Sequence, residues 1–173
     1  MKKAVILYEK INEKLLRVNI AVFKELWQVI GYEVVELAVS EEVSQDEYRN
    51  QIVNMSEDFL ITFAMAGFSW QAWMGQVWFN TLAAMQIHIL VGHLSFYDVF
   101  LQKEYGIQSF FFTDSREIYE NWKEKYPLVP YMGYIPTLYM AEYLTEEEKD
   151  ENRANFQKII HQVLSFVEKP SVL

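Results

Sequence analysis

His93 follows the apolar run Ile87-His88-Ile89-Leu90-Val91-Gly92, where a strand would give way to a loop. An imidazole in that place can serve as a general base near neutral pH. Gly92 before it lets the backbone come close to a ligand. Strand alternation sets His93 with Ile87, Ile89 and Val91, and turns His88 to the other face as a satisfied core histidine. With no carboxylate at a set spacing, a structural His93 is as well supported as a functional one. A second group is Asp114, after the run Ile107-Gln108-Ser109-Phe110-Phe111-Phe112. It reads first as the N-cap of the helix that follows, and second as a carboxylate on a loop tip. A third is the run from Gly67, Phe68 and Trp70 to Trp73, where Ser69 and Gln71 stand between rings. Ring faces pack against the C–H groups of a sugar while amides reach its hydroxyls. The favoured alternative is that Phe68, Trp70 and Trp73 pack beneath a helix or against a partner subunit.

Other chemistries lack their residues. The loop at 9–12, Glu-Lys-Ile-Asn, has no G-x-G-x-x-G run and no Walker lysine, so a dinucleotide or P-loop site is not expected. Lys10 and a helix start at Asn12 offer a generic anion site at most. Three scattered histidines and no spaced carboxylates make no metal motif. There is no G-x-S-x-G elbow. No cofactor is expected.

The 173 residues suit one domain, and a hydrophobic share of 51% can supply its core. A net charge of −9 disfavours nucleic acid and anionic membrane surfaces as partners. The absence of cysteine removes disulfides, thiolate ligands and thiol nucleophiles, and suits a cytoplasmic setting. The start, Met1-Lys2-Lys3 and a short apolar run, is broken at once by Glu9, Lys10, Glu13 and Lys14, so no export signal is read. Residues 59–97, 39 in all, carry no Asp, Glu, Lys or Arg. Gln71, Gln76, Asn80, Gln86, His88 and His93 interrupt every window long enough to span a membrane, so buried strands and helices are expected instead.

The elements that would position these groups alternate. Strands are expected over 3–8, 32–39, 59–67, 87–92, 107–112 and near 131–135. Helices are expected over 12–30, 44–55, 78–85, 96–105, 114–126 and 145–168. Gly31 sits where the first helix needs a left-handed end. Capping boxes begin at Ser44, Asp114 and Thr145. In the first helix the inward stripe reads Leu15, Val18, Val22, Phe23, Leu26, Trp27 and Ile30. In the last it reads Phe156, Ile159, Ile160, Val163, Leu164 and Val167. Strands apolar on both faces, alternating with helices, predict an α/β fold: a doubly wound, mostly parallel, Rossmann-like sheet with helices on both faces and a long C-terminal helix. In such sheets ligands sit beyond the carboxyl ends of the strands, where Gly67, Gly92, His93 and Asp114 fall.

The stretch IHILVGH, a short helix, GIQSFFFTDSREIYENWKEKYP and then GYIP resembles the N-terminal domain of CgeB-like bacterial glycosyltransferases, enzymes of the two-Rossmann-domain GT-B architecture. DFLITFAMAGF resembles that family's third strand and its loop. The resemblance covers 58–136, under half of the chain. It implies an acceptor-side cleft, with His93 as the candidate base, and it implies a donor-binding glycosyltransferase domain or subunit as partner. The chain departs from the family pattern at Gly92, where Asp is usual, at Leu94, where Pro is usual, and at Thr137-Leu138, where His-Gly is usual. A nucleotide-sugar-binding half does not fit within this length, so the domain is expected to be inactive alone. The alternative is a non-catalytic Rossmann-like module for partner binding or homo-oligomerisation. A flavodoxin-like receiver is discounted, because no Asp ends the third strand.

Overall fold

The computed structural model describes residues 1–70, 76–91 and 97–167. Its strands are β1 (Lys3–Glu9), β2 (Glu33–Val39), β3 (Phe59–Phe63), β4 (Met85–Leu90), β5 (Ser109–Thr113) and β6 (Met132–Tyr134). They form one six-stranded sheet in the order β2-β1-β3-β4-β5-β6. Every pairing is parallel. The fold is therefore α/β and Rossmann-like, as the apolar strand runs require.

Side-chain alternation divides the core into two layers. One face presents Ile6, Ile61, Ile87, Ile89, Phe110 and Phe112. It is covered by α1 (Glu13–Val29) and α5 (Glu146–Val167), through Leu16, Ile20, Phe23 and Trp27 on the first and Phe156, Ile159, Ile160 and Val163 on the second. The other face presents Val5, Leu7, Leu60, Leu90 and Phe111. It is covered by α2 (Gln45–Met55), the short α3 (Asp98–Leu101) and α4 (Arg116–Lys125), which contribute Tyr48, Ile52, Leu101 and Ile118. β1 connects through α1 to β2 on one side, and the chain returns through α2 to β3 on the other. The order thus reverses between β1 and β3, the place where an open sheet leaves a crevice at its carboxyl edge. Among the described residues no helix is long and apolar enough to cross a membrane.

Helix ends follow local chemistry. Gly31, at φ +94°, ends the α1 region in a left-handed conformation that a side chain would oppose. Ser44 Oγ accepts from the Glu47 N–H at 3.2 Å, capping α2. At α5 the box is reciprocal: Thr145 Oγ1 accepts from the Glu148 N–H at 3.1 Å, and Glu148 Oε1 accepts from the Thr145 N–H at 3.2 Å.

Four expectations are corrected. The helix expected over 96–105 is, among the described residues, only the four-residue α3. Residues 78–85 do not form a helix: a single 3-10 turn (Trp78–Thr81) is followed by an extended lead into β4. Helical spacing of Trp78, Leu82 and Met85 misleads there, because an apolar run buried on both sides shows no true period. The third strand ends at Phe63 rather than running on to Gly67, since Ala64 and Met65 turn left-handed, at φ +52° and +58°. On α1 the inward stripe is rotated. Leu15 and Ile30 are largely exposed, while Leu16, Ile20 and polar Asn19 are buried. Asn19 belongs inside because its amide is fully engaged. Its Nδ2 donates to the Tyr139 carbonyl at 2.9 Å, and its Oδ1 accepts from Asn152 Nδ2 at 2.6 Å.

Candidate functional site at the carboxyl edge

The carboxyl edge is built from the ends of all six strands, and the described residues just after β3 pack into the core. After β3 the chain turns tightly through Ala64, Met65 and Gly67. Gly67 has φ +80°, and a Cβ on it would lie 3.0 Å from Leu7 Cδ2 and 3.3 Å from Trp70 Cε3. Only glycine meets both demands without strain. The turn drives the following rings inward. Phe68 and Trp70 are each 4% exposed. Phe68 lies 4.8 Å, centroid to centroid, from both Phe79 and His88, and Trp70 stacks on Tyr48 at 5.8 Å. These two rings are core, the alternative favoured on sequence grounds, and neither offers a face to a sugar. Trp73, Gly92 and His93 lie outside the described residues.

His88 occupies the interior as expected. It is fully buried among Phe68, Phe79 and Phe111. Its Nδ1 lies 2.8 Å from the Thr62 hydroxyl, its cross-strand neighbour, and its Nε2 has no partner among the described residues. Burial without a compensating charge pushes its pKa down to about 3, so it is neutral at physiological pH.

The accessible chemistry gathers at the β5–β6 end. Asp114 does not cap α4: Ser115 Oγ does, accepting from the Ile118 N–H at 3.3 Å. The one-residue shift leaves Asp114 at a tip that is tied on both sides. The Thr113 carbonyl accepts from the Ile135 N–H at 2.8 Å, and the Thr113 hydroxyl accepts from the Ser115 N–H at 3.0 Å. Half-burial raises the pKa of Asp114, opposed by a bond to its own backbone. Tyr97 is buried nearby. Its pKa is pushed up to about 12, first by burial and then by Asp114, while the backbone of Val91 opposes the shift. The positions agree with the register, in which Leu90 lies opposite Thr113, so that Val91 and Asp114 leave adjacent strands together.

The same end of the sheet carries a ring that sequence reasoning did not single out. Tyr134 is paired with Thr113 in the parallel register between β5 and β6. It stacks on Tyr119 of α4, with centroids 5.4 Å apart and planes 29° from parallel. Tyr134 remains 39% exposed and Tyr119 41%. No local signal distinguishes Tyr134 in Tyr131-Met132-Gly133-Tyr134; strand pairing alone brings it level with Thr113. Glu9, at the end of β1, is half-buried, and its pKa is raised by burial and then by Glu41. The basic groups do not crowd this edge: Arg116 Nε donates to Glu120 Oε1 at 2.6 Å, and Lys10 is exposed.

Two cavities lie elsewhere. One of about 440 Å³ runs along α4 beside Glu117, Asn121 and Lys125. One of about 550 Å³ lies at the opposite, amino-terminal edge beside Asn80, Lys103 and Tyr105. Neither is bordered by Asp114, Tyr134 or Glu9. No group of three or more metal-ligating side chains occurs among the described residues. The fold and this edge define an open Rossmann-like sheet with an aromatic and carboxylate end. No protein-family model matches the chain, and no curated protein matches it.

Proposed function

We propose that this chain is the acceptor-side, N-terminal-type domain of a glycosyltransferase, binding a polyhydroxylated acceptor along the carboxyl edge of its sheet. The observation that carries the reading is the exposed, stacked pair Tyr119–Tyr134 by the carboxyl ends of β5 and β6, the same end from which the half-buried Asp114 leaves β5. A ring face suits the C–H surface of a pyranose, and a carboxylate suits its hydroxyls. The likeness of 58–136 to CgeB-like enzymes supports the same reading. The acceptor surface of this proposal is the β5–β6 end, and not the buried rings of 68–70. His93, just past β4 in sequence, remains the candidate base on sequence grounds.

This reading requires a donor-binding domain or subunit as partner, because the sequence has no glycine-rich phosphate motif and carries a net charge of −9. The test is NMR titration of the 173-residue protein with a panel of mono- and disaccharides and, separately, nucleotide sugars. Saccharides should perturb amide signals at 113–119 and 134–136, and nucleotide sugars should not be turned over. Failure of every saccharide to bind, or binding confined to the amino-terminal edge, overturns the reading.

A further inference from the structure

We propose that β2 is a self-association edge: two copies of this chain pair their β2 strands antiparallel about a two-fold axis at Val35, joining their sheets into one. The inference does not rest on the acceptor reading, since β2 closes the opposite side of the sheet from β5 and β6. The strand is open where its neighbours are not. None of the seven residues Glu33–Val39 is buried, whereas among the described residues every other strand buries two or more. Val34 and Ala38 pack only partly on the α1 side, and Val35, Leu37 and Val39 only partly on the α2 side. β2 pairs with β1 alone, so one row of its backbone groups has no strand to bond. The Glu33 N–H donates to the Lys2 carbonyl at 2.9 Å, so alternation turns the odd-numbered residues towards β1 and the N–H and C=O groups of Val34, Glu36 and Ala38 outward.

The open row is closed at one end. Tyr48 of α2 reaches over it: its hydroxyl donates to the Ala38 carbonyl at 3.3 Å and accepts from the Ser40 N–H at 2.9 Å. The outward groups of Val34 and Glu36 have no partner among the described residues. An antiparallel strand must therefore pair at 34–36 and stop short of 38. With Val34 opposite Glu36 of the other copy, and Glu36 opposite its Val34, both pairs exchange N–H and C=O bonds and Val35 faces its own copy on the axis. No lysine, proline or bulge guards the stretch, and its register on β1 is unbroken from Lys3↔Glu33 to Glu9↔Val39.

Charge selects a second copy as the occupant. The strand's central carboxylate, Glu36, would repel its copy if it stood alone. Arg17 Nη2 lies 3.0 Å from Glu36 Oε2, and Lys24 Nζ lies 3.6 Å from Glu36 Oε1. Arg17 is also 3.6 Å from Glu13, so two cations of α1 match two carboxylates. The face that meets its copy is thus neutral, in a chain of net charge −9. On the other face the two Val35 side chains meet, an apolar pair.

Sedimentation equilibrium of the 173-residue protein should show a monomer–dimer equilibrium. Val34→Pro removes an N–H that bonds only across the axis, and an edge strand tolerates proline. It should raise the dimer Kd about ten-fold or more, with an unchanged circular dichroism spectrum. The chain has no cysteine, so Val35→Cys supplies one thiol, placed at the axis. With glutathione disulfide as oxidant, two such thiols should join as one disulfide while the glutathione is reduced, giving a cross-linked dimer on a denaturing gel. Glu33→Cys should stay uncross-linked, because strand rise sets it roughly 14 Å from its copy. This pair of variants decides the matter even where Val34→Pro fails to fold. A wild-type monomer at every concentration, a dimer equally tight in folded Val34→Pro, or cross-linking at 33 as ready as at 35 overturns the proposal, and none of these outcomes touches saccharide binding.

Discussion

Asn152 Nδ2 lies 2.6 Å from Asn19 Oδ1, joining two helices across 133 residues of chain. Both amides also bind the backbone of Tyr139. Asn19 and Asn152 each donate to its carbonyl at 2.9 Å, and Asn152 Oδ1 accepts from its N–H at 3.0 Å. The pair therefore pins the segment after β6 between α1 and α5, beneath the carboxyl edge. Both residues are buried, so every polar atom in the cluster depends on the others.

Removing one member should strand the rest. Asn152→Ala is expected to cost roughly 2–4 kcal/mol, by lost bonds and by groups left unpaired. Asn19→Ala should cost a similar amount, and the double variant less than their sum. Urea denaturation of the three variants measures this; strict additivity would refute the coupled arrangement.

The turn after β3 makes opposite predictions for two neighbouring small residues. Ala64 already has a left-handed backbone, which costs a non-glycine residue about 1–2 kcal/mol. Ala64→Gly should leave stability unchanged or raise it by up to about 1 kcal/mol, although glycine usually loosens a chain. Gly67→Ala should lose about 1–3 kcal/mol, because it adds a Cβ at positive φ against Leu7. Thermal melts of both variants decide the matter.

His88 should dictate part of the acid response. Its folded pKa, about 3, lies below the ordinary value of 6.5. Between those values the unfolded chain binds the extra proton and the folded one does not, so stability falls as pH falls through this window. The slope contributed is up to about 1.4 kcal/mol per pH unit. Replacing the pair together, as Thr62→Val with His88→Phe, should flatten the curve between pH 6.5 and 3 without stranding the Thr62 hydroxyl. An unchanged slope in denaturation midpoints would count against a neutral, enclosed imidazole.

Ser115 and Asp114 should separate cap from site. Ser115→Ala is expected to cost about 1 kcal/mol by losing the Ile118 bond. Asp114 has a raised folded pKa, so its ionised form at neutral pH is held at a disadvantage in the folded state, which loses stability as pH rises through that pKa. Asp114→Asn should thus keep or raise stability at pH 7. Paired melts would show a mistaken assignment at once, since a capping Asp114 would reverse the two results.

Much of the fold was readable locally. The β-branched and apolar runs of β1 and β2, the Thr145–Glu148 box and Gly31 are short-range signals, and the structure places each where the residues suggest. Residues 59–85 were harder. Without charges there is no polar face to set a period, so the left-handed turn at Ala64 and the lone 3-10 turn near Trp78 left no trace in the pattern. Of the candidate residues, Asp114 leaves the end of β5 as its place in the sequence suggests, while the aromatic signal pointed to Phe68 and Trp70, rings that the core absorbs.

The amino-acid sequence by itself determined that apolar strands and amphipathic helices alternate, because burial on two faces leaves a composition that water cannot tolerate outside a parallel sheet. Tertiary structure alone decided that β3 crosses to the far side of β1, that Asn19 turns inward, and that Tyr134 pairs with Thr113 and stacks on Tyr119. These are pairings between residues distant in the chain, and their free energy comes from partners that no local window contains.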